Sequence, residues 1–318
     1  MKITSDHLLT SLFIIAIYII IFGIPYQKRD PSWKIEQFKN NSKEMEKEKE
    51  KENENENEKE KYINPWCGDV INIQQADNPY KKIISFSAYQ KNETAPLEKW
   101  IEMGIIDNEL GKKLYFPDWI MRAYILHPSP ELESLLLENN WEVVRCIRPK
   151  RMHFSMLFRF FAYDNDPWFF ISRDIDSRLS PRELFLINEW ISSGYSFHTI
   201  RDHMHHSIAV LGGMFGMRRG SIKGTMINLI QKALDENNNN IKGSMGEDQN
   251  FLQRYIWPQI KSNALEHDSF GRCFGGKECR GFPEILDKSG NENFIGSPFK
   301  FENHVNPNCS LMCEYNIT

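Results

Sequence analysis

The sequence predicts an α/β protein, a mostly parallel nucleotide-binding sheet flanked by helices, and three observations carry that expectation. Strand and helix signals alternate from Lys82 onward, the pattern that builds parallel sheets. An apolar run, Phe169-Phe170-Ile171-Ser172-Arg173, ends in two aspartates, Asp174 and Asp176. The chain from Tyr62 to the end has the size of one large α/β domain.

The elements follow in order. Lys82 to Ala88 reads as a first strand, Ala95 to Leu114 as a helix, and Trp119 to Ile125, introduced by Pro117, as a second strand. A leucine pattern from Glu131 to Asn140 marks another helix, its start set by Ser129-Pro130, and Trp141 to Cys146 supplies a third strand. Met152 to Phe161 reads as a helix. Residues 168–173 form a fourth strand, and Pro181 to Ser192 a helix whose Ser180-Pro181-Arg182-Glu183 start carries a cap, a first-turn proline and a capping-box glutamate. Strand side chains alternate faces, so Asp174 and Asp176 point the same way at the C-terminal edge, where open α/β sheets bind ligands. Two hard oxygen ligands there suit Mg²⁺ or Mn²⁺, which takes its other ligands from phosphate and water. The competing reading is a solvated loop whose aspartates pair with Arg173 and Arg178.

Downstream, Phe197 to Arg201 ends a strand in a histidine-rich loop, Asp202 to His206, which lines a polar cleft or holds zinc. Ile208 to Leu211 runs into Gly212-Gly213, either a strand-ending turn or a place where backbone approaches a sugar or phosphate. Glu247 and Asp248 open an amphipathic helix; they complement its dipole or serve as a general base. His267-Asp268 follows that helix as a pair on the surface.

The ends bound the compartment. Leu8 to Ile24 is almost wholly apolar, and no small-residue cleavage site follows it, so an uncleaved signal anchor over residues 8–26 is expected over a signal peptide, behind a tail of residues 1–7. Residues 27–61 form a charged stalk, almost pure Lys, Glu and Asn over 43–61, that cannot bury a core. Residues 62–318 are then one catalytic domain. Lys28 and Arg29 argue against a luminal body by the positive-inside rule. Sequons at Asn40, Asn92, Asn308 and Asn316 and six cysteines argue for one. The cysteines permit up to three disulfides, with local staples near the C-terminus; zinc is the alternative. A net charge of −4 without a basic stripe excludes nucleic acid as the expected partner.

Taken together, Pro117-Asp118-Trp119-Ile120, Arg173-Asp174-Ile175-Asp176-Ser177-Arg178, Arg201-Asp202-His203, Leu211-Gly212-Gly213-Met214-Phe215-Gly216, Asp248-Gln249-Asn250-Phe251-Leu252 and His267-Asp268-Ser269-Phe270 resemble GT-A-type glycosyltransferases with an Arg-Asp-x-Asp-Ser-Arg signature. The resemblance covers roughly residues 80–300; Phe215 stands where a tryptophan is equally familiar. It implies a GT-A-like mixed, mostly parallel sheet behind a transmembrane helix, in a single-pass Golgi or ER membrane protein. It also implies a metal-dependent glycosyltransferase that uses a nucleotide-sugar donor and a glycan, glycoprotein or glycolipid acceptor. By the same resemblance Asp174 and Asp176 bind Mn²⁺ or Mg²⁺ and the donor, Gly212 and Gly213 border the donor sugar, Glu247 or Asp248 supplies the base, and His267 completes the metal shell. Arg173, Arg178 and Arg201 are diphosphate contacts in this scheme. Two other classes stay open: a non-catalytic nucleotide- or glycan-binding protein on the same fold, and a phosphotransferase using Asp-x-Asp.

Overall fold

The computed structural model describes residues 64–75, 77–90, 94–126, 128–147, 156–165, 167–236, 246–282 and 294–297. All of them fall in the second of two compact units, Asn64–Thr318. The expected tail, anchor, stalk and sequons, and Cys309 and Cys313, lie outside the described residues. Among the described residues no helix is long and apolar enough to cross a membrane.

The strands are β1 (Cys67–Ile71), β2 (Lys82–Tyr89), β3 (Trp119–Leu126), β4 (Glu142–Cys146), β5 (Phe169–Arg173), β6 (Phe197–Arg201), β7 (Met214–Arg218), β8 (Ala264–Asp268) and β9 (Glu278–Arg280). They form one mixed sheet in the order β1-β4-β3-β2-β5-β7-β6-β8-β9. β1 runs antiparallel at one edge and β7 antiparallel to both neighbours; the other pairs are parallel. The central strands are buried on both faces: Ile83 and Ile120 feed one apolar cluster, Ile84 and Met121 the other. That burial is why their sequences are mostly apolar, interrupted by Ser85 and Ser87 in β2 and by Arg122 in β3.

Helices α1 (Lys99–Tyr115), α2 (Pro130–Glu138) and α3 (Pro181–Ser193) connect the strands. The predicted caps are in place. Ser129 accepts a hydrogen bond from the Leu132 amide at 3.2 Å, and Ser180 one from Glu183 at 3.2 Å. Helix α3 stops at Gly194, whose φ of 79° is the left-handed C-cap conformation. α4 (Met226–Glu236) follows β7, and α5 (Glu247–Phe251) continues through a π-turn (Leu252–Ile256) and a further helical turn (Trp257–Ile260) toward β8.

Four expectations are corrected. Of the helix expected at 152–161, residues 152–155 lie outside the described residues and the rest belongs to a 3-10 segment, Met156–Asn165. Ile208 to Leu211 is not a strand; β7 begins after the glycines, so Gly212 and Gly213 open a strand. His267 and Asp268 lie within β8, fully buried, and not on the surface. With β1 counted, the acidic pair follows the fifth strand. Cys273–Cys279 is a local staple of the kind expected toward the C-terminus, and Cys67 pairs across the β1/β4 ladder with Cys146.

Candidate active site

The chain moves outward from β2 through β3 to β4, then returns to place β5 on the other side of β2. This reversal opens a crevice at the C-terminal strand ends, the position where such sheets bind ligands. Tyr89 ends β2 and Asp174 follows β5, so both border it. After the strand, Ile175 and Ser177 are buried while Asp174 and Asp176 are partly exposed, so the alternation continues into the turn.

Helix α1 holds that turn. Gly104 leaves room for the loop, since a Cβ there would overlap the Ile175 carbonyl oxygen and stand 3.2 Å from its carbon. Asn108, fully buried, donates to the carbonyls of Ile175 (3.3 Å) and Ser177 (2.8 Å) and accepts from the Leu179 amide (3.0 Å). The acidic turn is therefore clasped at three backbone points by one side chain that the sequence reading did not single out.

The register of β7 brings in the glycines. Arg173 pairs with Met214, so the next step of the antiparallel ladder sets Asp174 beside Gly213. A Cβ on Gly213 would overlap the Asp174 carboxylate; one on Gly212 would overlap that of Asp248 and stand 2.7 Å from Arg159. Ser172 Oγ donates to the Gly212 carbonyl at 2.6 Å, and Arg173 to that of Gly213 at 2.9 Å. The glycine pair is thus wedged between two carboxylates.

Arg159 joins those carboxylates. Its 3-10 segment is fixed to β2: Ser85 donates to the Arg159 carbonyl (2.8 Å) and Ser87 accepts from its amide (3.1 Å). The guanidinium, only 3% exposed, donates to Asp174, to Asp248 at 2.9 Å and to the Arg173 carbonyl at 3.3 Å. Sequence reasoning missed it, though a signal was present: Arg159 is the lone charge in Leu157-Phe158-Arg159-Phe160-Phe161, and a charge in a buried apolar run requires partners.

The electrostatics follow from this bridge. Burial pushes the Asp174 carboxyl up, but the Arg159 guanidinium, with Arg173 and His206, more than offsets this and holds it below the usual range. Burial and then the Asp174 charge raise Asp176. Burial raises Asp248 as well, with Arg159 opposing and Asp174 reinforcing. The Tyr89 hydroxyl is raised by burial, against Arg159 and with all three aspartates. These groups therefore sense one another.

The remaining expected site residues are placed elsewhere. Glu247 begins α5 partly exposed, and Asp248 is the acid of the pair that reaches the cluster. Arg173 is buried, 3.2 Å from Glu183 and bonded to Ser177 at 2.9 Å, so it braces the turn from below. Arg178 turns to Asp107 on α1 at 2.8 Å. Arg201 is wholly buried, donating to Asp268 at 2.6 Å, to the Ala209 carbonyl at 2.6 Å and to Glu266; its expected diphosphate contact is corrected to a core brace. His267 is corrected too. Its ring nitrogens face His198 at 2.7 Å and Glu189 at 3.0 Å inside the protein, so it does not join Asp174 and Asp176. In the loop after β6, Asp202 accepts from Nε and one terminal nitrogen of Arg182 (2.8 and 2.9 Å), and His203 packs against Phe294 at 4.4 Å.

Among the described residues no three His, Cys, Asp or Glu side chains gather around one point as ion ligands. The donor set that remains is Asp174 and Asp176. Two hard carboxylates, one of them 43% exposed, fit a Mg²⁺ or Mn²⁺ ion that draws its other ligands from a bound diphosphate and water.

Fold and site together define an α/β protein with an acidic, arginine-bridged cluster at the switch point of a mixed sheet. No protein-family model matches the chain, and no curated protein matches it. Among solved structures it is similar to the galactosyltransferase LgtC in complex with donor and acceptor sugar analogs, with a TM-score of 0.37, 12% identity, and coverage of 59% of this chain and 73% of that one. It is also similar to 4-diphosphocytidyl-2C-methyl-D-erythritol synthase from Anaerococcus prevotii, with a TM-score of 0.35, 10% identity, and coverage of 58% and 87%.

Proposed function

We propose that the protein is a GT-A-like, metal-dependent glycosyltransferase that moves a sugar from a nucleotide-sugar donor to a hydroxyl of a glycan, glycoprotein or glycolipid. One observation supports this most: Arg159 gathers Asp174, at the switch point, and Asp248, which lies 89 residues beyond Arg159 in the chain, into one cluster walled by Gly212 and Gly213. A donor-binding carboxylate and a second buried acid at a glycine wall are the parts that transfer to a hydroxyl requires.

In this reading Asp176 and Asp174 hold Mn²⁺ or Mg²⁺. When bound, the ion neutralises charge developing on the departing diphosphate. Asp248, whose affinity for a proton burial raises, accepts the proton of the acceptor hydroxyl in an inverting reaction, as the new glycosidic C–O bond forms and the sugar–phosphate bond breaks. Gly212 and Gly213 let backbone approach the sugar. The same reading places the protein in the Golgi or ER membrane, anchored through residues 8–26 with the sheet in the lumen. The Cys67–Cys146 and Cys273–Cys279 bridges suit such an oxidising compartment.

The test is a panel of nucleotide sugars offered to the purified protein with and without Mn²⁺, following nucleotide release. Metal-dependent release of a nucleoside diphosphate with an acceptor present is expected. Metal-dependent donor binding without turnover would assign a binding protein instead.

A further inference from the structure

We propose that Arg159 is the resident cation of this acidic site: it occupies Asp174 in the metal-free protein, competes there with the divalent ion, and positions Asp248 against it. The inference rests on reading Asp174 and Asp176 as the metal-holding pair.

The geometry is specific. Arg159 is brought in from beneath the sheet on a backbone fixed by Ser85 and Ser87, so its reach is set by β2 and not by a mobile loop. Its two terminal nitrogens go to different carboxylates, and its Nε, buried, has no hydrogen-bond partner among the described residues. The Gly212 wall leaves the guanidinium no room for a side chain beside it. Arg159 meets two of the three acids, Asp174 and Asp248, while Arg173 and Arg178 are paired with Glu183 and Asp107, so the acids outnumber the cations that face them and favour a divalent ion. One Asp174 oxygen is committed to Arg159 and the other lies against Gly213, so a divalent ion drawn to Asp174 shares that carboxylate with the guanidinium.

A merely structural arginine and a resident cation predict opposite signs. The experiment titrates the purified protein with Mn²⁺ alone and reads free Mn²⁺ by electron paramagnetic resonance. Arg159→Gln should bind Mn²⁺ on the order of tenfold more tightly than the wild type, because a positive charge beside the ion is gone; Arg159→Lys should stay near wild type. The Arg159→Gln/Asp248→Asn protein removes both partners of the buried pair, and so carries the test if the single variant does not fold. Against Asp248→Asn as its reference, it should also bind more tightly, and adding Asp174→Asn should erase the gain. Unchanged or weaker Mn²⁺ binding in folded Arg159→Gln, or in the double variant against its reference, would overturn the proposal. Turnover is read separately: a gain in Mn²⁺ affinity in a protein that transfers no sugar would uphold this inference and reject the transferase.

Discussion

Gly213 lies so close to Asp174 that a methyl group on it would overlap the aspartate's carboxylate and stand 3.0 Å from its backbone nitrogen. The Asp174 side chain is held by Arg159 and cannot swing away cheaply. Gly213→Ala should therefore destabilise the protein by about 1–3 kcal/mol, as overpacking does, and abolish metal-dependent donor binding. Calorimetry with a nucleoside diphosphate and Mn²⁺ checks both.

Asn108, wholly buried, makes three bonds to the backbone of the acidic turn. Asn108→Ala leaves the Ser177 carbonyl and the Leu179 amide buried without this partner, while Arg178 still donates to the Ile175 carbonyl, at a cost of about 1–3 kcal/mol for an unsatisfied group. Urea unfolding should show the loss. Donor affinity should fall with it, because the carboxylates of Asp174 and Asp176 are aimed by that turn.

Arg201 separates a core brace from a substrate contact. Its guanidinium lies between Glu266 and Asp268, all three fully buried. Removing one partner of a buried ion pair costs about 3–5 kcal/mol, so Arg201→Met should lower the unfolding midpoint sharply. A stable Arg201→Met protein with weakened diphosphate binding would instead restore the contact expected from the motif.

The pH dependence has a defined sign. Burial, followed by the charges of His203, Arg272 and Arg173, lowers the His206 pKa to about 3. The unfolded value is about 6.5, so its contribution is complete above pH 6.5 and is lost as pH falls toward 3. Glu189 is lowered to about 2, first by its hydrogen bond to His267 and then, against burial, by Arg280. Its contribution is complete above about 4.5 and is lost toward 2. His206→Asn should flatten the fall in unfolding free energy between pH 6.5 and 3, measured by denaturant titration at a series of pH values.

The central strands and two caps were legible because their causes are local: mostly apolar runs for β2, β3 and β5, and Ser-Pro starts for α2 and α3. The acidic turn could be read for the same reason, since alternation alone aims Asp174 and Asp176 together. β8 was not legible. Its Ala-Leu-Glu-His-Asp sequence looks solvated, and only pairing with β6 and β9 shows that Glu266, His267 and Asp268 are satisfied inside. The same cause misassigned Arg201 and His267, whose motif chemistry is spent on core partners. Arg159 lay between, announced by its apolar neighbours but given a role only by two acids distant in sequence.

The most direct measurement is nucleoside diphosphate release from the donor identified in the panel, with and without Mn²⁺, comparing wild type with Asp176→Ala. Metal-dependent release by the wild type is expected, with its loss, by on the order of a hundredfold or more, in a variant that melts normally. Full metal-dependent release by Asp176→Ala would contradict the proposed function.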